Sequence, residues 1–295
     1  MKKKANITVV IPIHSHKSAN FDIYLQNAIQ SILNGRVLPM HVLIIMPTGD
    51  TNNGETLLYV SKLISEKISK LEGYKDLDVT IRGNLTGKYD FASQMNAAVD
   101  WISKDSHFKT EFFSFLEFDD EYSSVWFSNV EKYMAEFPEV SVFLPIISDA
   151  NEEKKFLGYT NEIAWAYEFT DKHGIIDSAT LQDYPNFNPD GMVMRVADYL
   201  KIGGYKKTIK LSFNLEFLMR ACGQALQVMV IPKIGYQHTN MREGSIFWDY
   251  KNGDNKLTPE ESEFWMEKAK SEYYYTDDRP IIYVPEAIED EPETK

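Results

Sequence analysis

The sequence has one cysteine, Cys222, in 295 residues, so no disulfide can close within the chain. It sits in a mostly apolar helical stretch and reads as a small core residue. No run approaches the ~20 apolar residues that span a bilayer. The basic start Met1-Lys2-Lys3-Lys4 leads into a strand-like run broken at Pro12 and lacks the plan of a signal peptide. Positive charge is scarce: 31 Lys and Arg stand against 44 Asp and Glu, a net charge of −13. That argues against broad electrostatic binding to nucleic acid or to anionic membrane. Internal repeats and Gly/Pro/Ser-rich linkers are also missing. Together these absences predict a soluble cytoplasmic protein without stable membrane insertion.

What is present suits a globular chain with a real core: 43% hydrophobic and 13% aromatic residues. Ile7 to Ile11, His41 to Met46, Leu77 to Ile81 and Phe112 to Phe118 read as short buried strands. Helical spacing over Ile23 to Leu33, Glu55 to Leu71 and Phe91 to Ile102 separates them. This alternation predicts an α/β fold with a mostly parallel central sheet flanked by helices. The later half is less regular. It predicts strands over Val140 to Ile147, Asp190 to Arg195 and Leu226 to Ile231, the last stopped by Pro232. It also predicts helices over Val196 to Ile202, Leu211 to Cys222 and Glu260 to Tyr275. One domain is expected over 1–284, with a nucleotide-binding half near 6–123 and a mixed half over 124–284. An acidic, disordered tail is expected over 285–295.

The segment Phe112-Phe113-Ser114-Phe115-Leu116-Glu117-Phe118-Asp119-Asp120-Glu121 runs from a buried strand straight into acids. Carboxylates there are costly unless their charge is offset, and hard divalent cations prefer carboxylate oxygens. If the strand continues, its period of two places Glu117 and Asp119 on one side. Ligands of parallel sheets bind beyond the carboxyl ends of the strands. This segment falls on that edge, which favours a metal site over a solvated acidic loop.

The order of pieces resembles the GT-A glycosyltransferases, and among them the family 2-like enzymes. Val9-Val10-Ile11-Pro12-Ile13-His14-Ser15 resembles their first strand and loop, and Tyr24 to Leu33 the helix that follows. Gly87 to Asn96 resembles their loop and Asn-bearing helix, and Phe115 to Asp120 their Asp-x-Asp element. Ile202-Gly203-Gly204-Tyr205, Asn214 to Arg220 with Gly223, and Val230-Ile231-Pro232 to Tyr236-Gln237-His238 resemble the later blocks. The likeness covers about residues 6 to 245. Each motif is weak alone; their order and spacing carry it.

The resemblance implies a GT-A-like nucleotide-binding half and a nucleotide-sugar donor, UDP-linked by expectation, with a divalent metal, Mn²⁺ or Mg²⁺, on its diphosphate. Asp119 is then the direct metal contact and His238 completes the coordination. Glu117, where the family carries Asp, reaches the ribose or reaches the metal through water. His14, Ser15 and Asp50 are the candidates for the nucleoside. Lys88 is the candidate for the diphosphate, with Arg82 read as a surface residue, and Asn96 braces the pocket. Inverting members carry their base where this chain has Phe213 and Asn214, and an amide cannot serve as a base. Glu216 and Asp190 are the candidates for that task, with Asp183 a further acid of the same irregular region.

The function expected is hexosyl or pentosyl transfer to an acceptor hydroxyl. The acceptor is a glycan or a hydroxymethylated DNA base, the latter as in phage enzymes acting in a host cytoplasm. The basic cluster Lys201, Lys206, Lys207 and Lys210 is the patch DNA would need. Two other readings stand beside it. One is an inactive GT-A-like sugar-binding or structural protein, favoured by Asn214. The other is a nucleotidyltransferase, disfavoured because Ile13 to Lys17 has no glycine.

Overall fold

The computed structural model describes residues 2–14, 16–48, 54–84, 90–166, 169 and 173–285. In chain order the first half carries β1 (Lys3–Pro12), α1 (Phe21–Asn34), β2 (Val37–Pro47), α2 (Glu55–Glu66), β3 (Val79–Asn84), α3 (Phe91–Lys104) and β4 (Phe112–Phe115). There follow β5 (Glu121–Tyr122), α4 (Trp126–Glu136), β6 (Val140–Ala150), β7 (Phe156–Thr160), β8 (Ile175–Ile176), α5 (Ser178–Asp183) and β9 (Val193–Arg195). The chain closes with α6 (Val196–Lys201), α7 (Phe213–Gly223), β10 (Gln227–Thr239), α8 (Ile246–Asn252) and α9 (Pro259–Ser271).

The strands form one sheet in the order β3-β2-β1-β4-β9-β6-β10-β5, with β7 on β6 and β8 on β10. β1 to β4 are mutually parallel, and β6 and β10 form a second parallel pair. β9 joins the two groups by antiparallel pairing to β4 and to β6. The β-branched run of β1 follows from this placement. Val10 packs with Leu43, Phe113 and the α3 and α7 side chains, while its neighbours Val9 and Ile11 pack on the other face with α1 and α2. A strand buried on both faces reads as a continuous apolar run.

Three strand expectations are corrected. β4 ends at Phe115 rather than Phe118, so Glu117 and Asp119 do not share a strand face. Pro232 does not stop β10. The β6 register slips between Val230 and Ile234, so the proline sits in an irregularity where its missing N–H breaks no ladder. The strand over Asp190 to Arg195 begins only at Val193. Before it, Gly191 holds φ at 71°, and a Cβ there would lie 2.4 Å from Cδ2 of Tyr236. α9 ends at Ser271, short of Tyr275. The acidic tail from 286 onward lies outside the described residues.

Candidate active site

Beyond β4 the backbone takes one more sheet-like bond, Leu116 N–H to Val10 O at 2.9 Å, and then turns. Asp120 N–H donates to Glu117 O at 3.1 Å, closing a turn that gathers Glu117, Asp119 and Asp120. β10 holds this turn from the side. Thr239 N–H donates to Asp120 Oδ1 at 2.7 Å, and Tyr236 Oη–H donates to Asp120 Oδ2 at 2.8 Å. Thr239 Oγ1 donates to the Asp119 carbonyl at 2.8 Å. Arg242, just past β10, pairs through Nε with Asp119 Oδ2 and lies 4.9 Å from the Phe118 ring centroid. The other Asp119 oxygen, Oδ1, is buried and accepts no hydrogen bond from the described residues.

Two further groups converge here. His238 lies beside Asp149 in the parallel β10–β6 register, and His238 Nδ1 donates to Asp149 Oδ1 at 3.0 Å. That bond leaves Nε2 as the ring nitrogen that can give up its proton and offer a lone pair to a cation. Asp190, just before Gly191, accepts from Asn188 Nδ2 at 2.7 Å. Asp120, Asp190 and His238 each place a ligand-type atom within 4.8 Å of the other two.

The site holds more negative charge than its cations offset. Burial, then the neighbouring carboxylates of Asp190, Asp119 and Asp120, push the Glu117 carboxyl well above the usual range. Burial is also the main cause of the rise of Asp120 to about 7 and of the upward shift of Asp190. Burial alone would lower His238. The carboxylates of Asp120, Asp149 and Asp190 outweigh it and raise the imidazole to about 10. Carboxylates pushed up beside an imidazole pushed up mark a cluster in which one imidazolium does not balance the acids. A divalent cation fits this donor set. Asp149 orients the histidine as an outer partner orients a metal ligand, and each Asp120 oxygen keeps a second lone pair.

No protein-family model matches the sequence, and no curated protein matches it. Solved structures do resemble the fold. TarS 1–349 of S. aureus in complex with UDP-GlcNAc superposes with a TM-score of 0.60 at 16% identity, covering 91% of this chain and 65% of that one. The same fragment with UDP gives 0.55 at 17% identity, covering 92% and 70%. The mannosyltransferase PcManGT from Pyrobaculum calidifontis, in complex with GDP-Man and Mn²⁺, gives 0.52 at 13% identity, covering 81% and 58%. This chain thus spans just under two thirds of the TarS fragment seen with UDP-GlcNAc. It has the GT-A fold.

On that GT-A frame the residues singled out from sequence separate into groups. Glu117, Asp119, His238 and Asp190 come together, with Asp120 more central than the sequence suggested. His14, at the end of β1, lies near them. Its Nδ1 accepts from Gln94 Nε2 at 3.3 Å, and burial lowers it to about 4. Ser15, Asp50 and Lys88 lie outside the described residues.

Asn96 and Glu216 are corrections. Asn96 Nδ2 donates to Tyr205 O at 2.8 Å, and its Oδ1 accepts from Tyr199 Oη at 2.6 Å and Tyr205 N at 2.9 Å. Two of these bonds tie α3 to the Gly203-Gly204-Tyr205 turn, and the third ties it to α6. Glu216 is fully buried, with Arg220 at 2.8 and 2.9 Å and Lys206 Nζ at 3.0 Å. A carboxylate clamped by two cations in the core meets no acceptor. Half of the basic cluster is used up in the same way. Lys206 is buried and Lys210 pairs with Glu261 at 3.4 Å, while Lys201 and Lys207 are exposed, Asp278 holding only the backbone N–H of Lys207.

Arg242, Asp149, Asn188 and Gln94 were not singled out from sequence. Asp149 carries a usable signal, since it lies two residues past the strand predicted over Val140 to Ile147, on the ligand-binding side. The others are isolated polar residues whose role depends on which strand lies beside which.

Proposed function

We propose that this chain transfers a sugar from a nucleotide-sugar donor to an acceptor hydroxyl, with a divalent cation on the diphosphate. The observation that carries this reading is the Asp120–Asp190–His238 group at the carboxyl edge of a GT-A sheet, with Asp149 orienting the histidine. Small hard cations are commonly held by one or two protein groups plus substrate phosphates. Asp120 and His238 are the ligands in this reading, with Glu117 beside them. When bound, the cation offsets the charge developing on the leaving diphosphate. Arg242 holds Asp119 in place at the same wall, and His14 with Gln94 lines the side where the nucleoside would lie. That TarS and PcManGT were solved with UDP-GlcNAc and GDP-Man with Mn²⁺ supports this class of donor.

Asp190 takes the acceptor proton in this reading. Asn188 contacts both Asp190 and Asn214, the position where the family carries its base: Asn214 Nδ2 lies 3.4 Å from Asn188 Oδ1. A base oriented by a hydrogen bond, with its pKa raised towards neutrality, suits the task. The acceptor in this reading is a glycan. A cleft of about 380 Å³ lined by Tyr159, Asn161, Ile163, Asp183, Tyr184 and Phe187 adjoins this wall. Asn161 bonds to Asn188 at 2.8 and 2.9 Å and so links the cleft to Asp190. Exposed tyrosines pair an apolar face with a polar tip, as a sugar ring requires. A DNA acceptor finds less support, because two of the four lysines it needs, Lys206 and Lys210, are paired with Glu216 and Glu261.

A second reading, a sugar-binding protein without turnover, is favoured by Asn214. Thermal shift of the full chain with UDP-, GDP- and CMP-sugars, with Mn²⁺ or with EDTA, tests binding. At 100 times Kd a bound donor adds about 2.7 kcal/mol of stability. Release of free nucleoside diphosphate from the stabilising donor separates transferase from binder. No Mn²⁺-dependent stabilisation by any of the donors would end both readings.

A further inference from the structure

A second group of metal-type ligands lies at the opposite edge of the sheet. His41 is in the first half of β2, paired with Thr8 of β1. Asp78 immediately precedes β3, and its carbonyl accepts from Val42 N at 2.8 Å. His107 lies in the connection between α3 and β4 and is anchored through its backbone N–H to Asp105 Oδ1 at 2.9 Å. Strand starts and the approach to β4 meet here, whereas the acidic group sits beyond the strand ends. The two places are therefore distinct.

His41 Nδ1 is 2.8 Å and His107 Nε2 is 3.2 Å from the same oxygen, Asp78 Oδ2. The three ligand atoms lie within 4.8 Å of one another, and the two rings are tilted 49° with centroids 4.9 Å apart. Zinc–ligand bonds of ~2.0–2.1 Å in a tetrahedron set neighbouring ligand atoms about 3.3 Å apart. Both measured separations are within a few tenths of an ångström to half an ångström of that edge. Two imidazoles and one carboxylate suit a borderline cation such as Zn²⁺ or Co²⁺, whereas Mg²⁺ and Mn²⁺ prefer oxygen.

The ligands also differ in exposure as a bound ion needs. The His41 side chain is 11% exposed and held by its strand, while those of Asp78 and His107 are 39% and 46% exposed. The group is thus fixed from within and open to water from without. In the metal-free chain His41 Nδ1 donates to Asp78 Oδ2 at 2.8 Å, and His107 Nε2 stands at ion-pair distance from the same oxygen.

We propose that His41, Asp78 and His107 bind a zinc-class divalent cation, with water completing the coordination. The ion takes the place of the His41 ring proton that points at Asp78. It would cross-link β2, the start of β3 and the segment entering β4. Its place at the strand starts makes it a structural or regulatory site rather than part of the transfer chemistry.

The test is titration of the tag-free, metal-stripped full chain with Co²⁺ and Zn²⁺ in excess Mg²⁺. Co²⁺ is read by its visible absorption and Zn²⁺ by competition with a chromophoric chelator. One equivalent is expected to bind. Its affinity should fall in His107→Ala and in Asp78→Asn by more than the roughly tenfold that losing even an outer-shell partner costs. Asp120→Asn and Cys222→Ser should bind as the parent does. His107 is surface-exposed, so its variant tests the site without threatening the fold. Absence of binding to the parent chain, or equal binding by His107→Ala and Asp78→Asn, would overturn the proposal.

Discussion

Arg220 grips Glu216 with two hydrogen bonds, Nε to Oε1 at 2.8 Å and Nη2 to Oε2 at 2.9 Å, and neither side chain is exposed at all. Arg220 also donates to the carbonyls of Ile202 and Gly204, and Lys206 adds a second cation to Glu216. The clamp fastens α7 to the glycine turn after α6. Removing one partner of a buried ion pair strands the other, at a cost of about 3–5 kcal/mol. Glu216→Ala should therefore lower the unfolding free energy by about that much in urea titration. The fraction that remains folded should bind donor as the parent does. Full stability combined with lost turnover would return Glu216 to the chemistry.

Asp149 works at one remove. It accepts from His238 Nδ1 at 3.0 Å and from Thr160 Oγ1 at 2.7 Å. Asp149→Asn keeps the size but loses the charge that orients the imidazole. Outer partners of this kind are worth about 10–100-fold in metal affinity. Calorimetry of UDP binding across a Mn²⁺ series should show that loss, with the urea midpoint little changed. An unaltered Mn²⁺ requirement would remove His238 from the cation site.

Asp190→Asn separates base from ligand. If Asp190 takes the acceptor proton, the variant retains Mn²⁺-dependent donor binding and loses about 10²–10⁴-fold in turnover, the usual share of a general base. The remaining activity should lose the acidic limb of its pH profile. Loss of Mn²⁺-dependent binding instead would make Asp190 a third cation ligand.

His14 supplies a pH signature. Burial lowers it to about 4, from about 6.5 in the unfolded chain, with Arg242 adding to the fall and Asp119 and Asp90 opposing it. Between those values the unfolded state binds more protons, so stability drops as pH falls. The contribution of His14 is complete above about pH 6.5 and lost as pH falls towards 4. Urea midpoints of the parent should decline more steeply than those of His14→Gln over that interval. Parallel declines would show that His14 is not held neutral in the fold.

The first half was legible from the chain because β1, β2 and β4 are buried on both faces. Continuous apolar runs such as Val9-Val10-Ile11 and Leu43-Ile44-Ile45 announce themselves, and the helices between them carry a clear 3.6-residue stripe. The second half was less legible because β5, β7, β8 and β9 are only two to five residues long and β10 runs on past Pro232. There the pairing with β6 overrides the local signal.

The acidic segment was visible as a candidate cation site, but not its geometry. Strand periodicity pairs Glu117 with Asp119, whereas the turn closed by Asp120 N–H brings Asp120 to the centre. In the tertiary structure Arg242 takes Asp119, Asp190 and His238 join Asp120, and Asp149 sets the ring of His238. The chain alone determined which residues could carry charge at the ligand-binding edge, because residue type and strand order decide that. Only the folded structure decided which carboxylates stay free and which are tied up in the core, as Glu216 is. That depends on neighbours distant in sequence, which β6, β9 and β10 bring alongside β4.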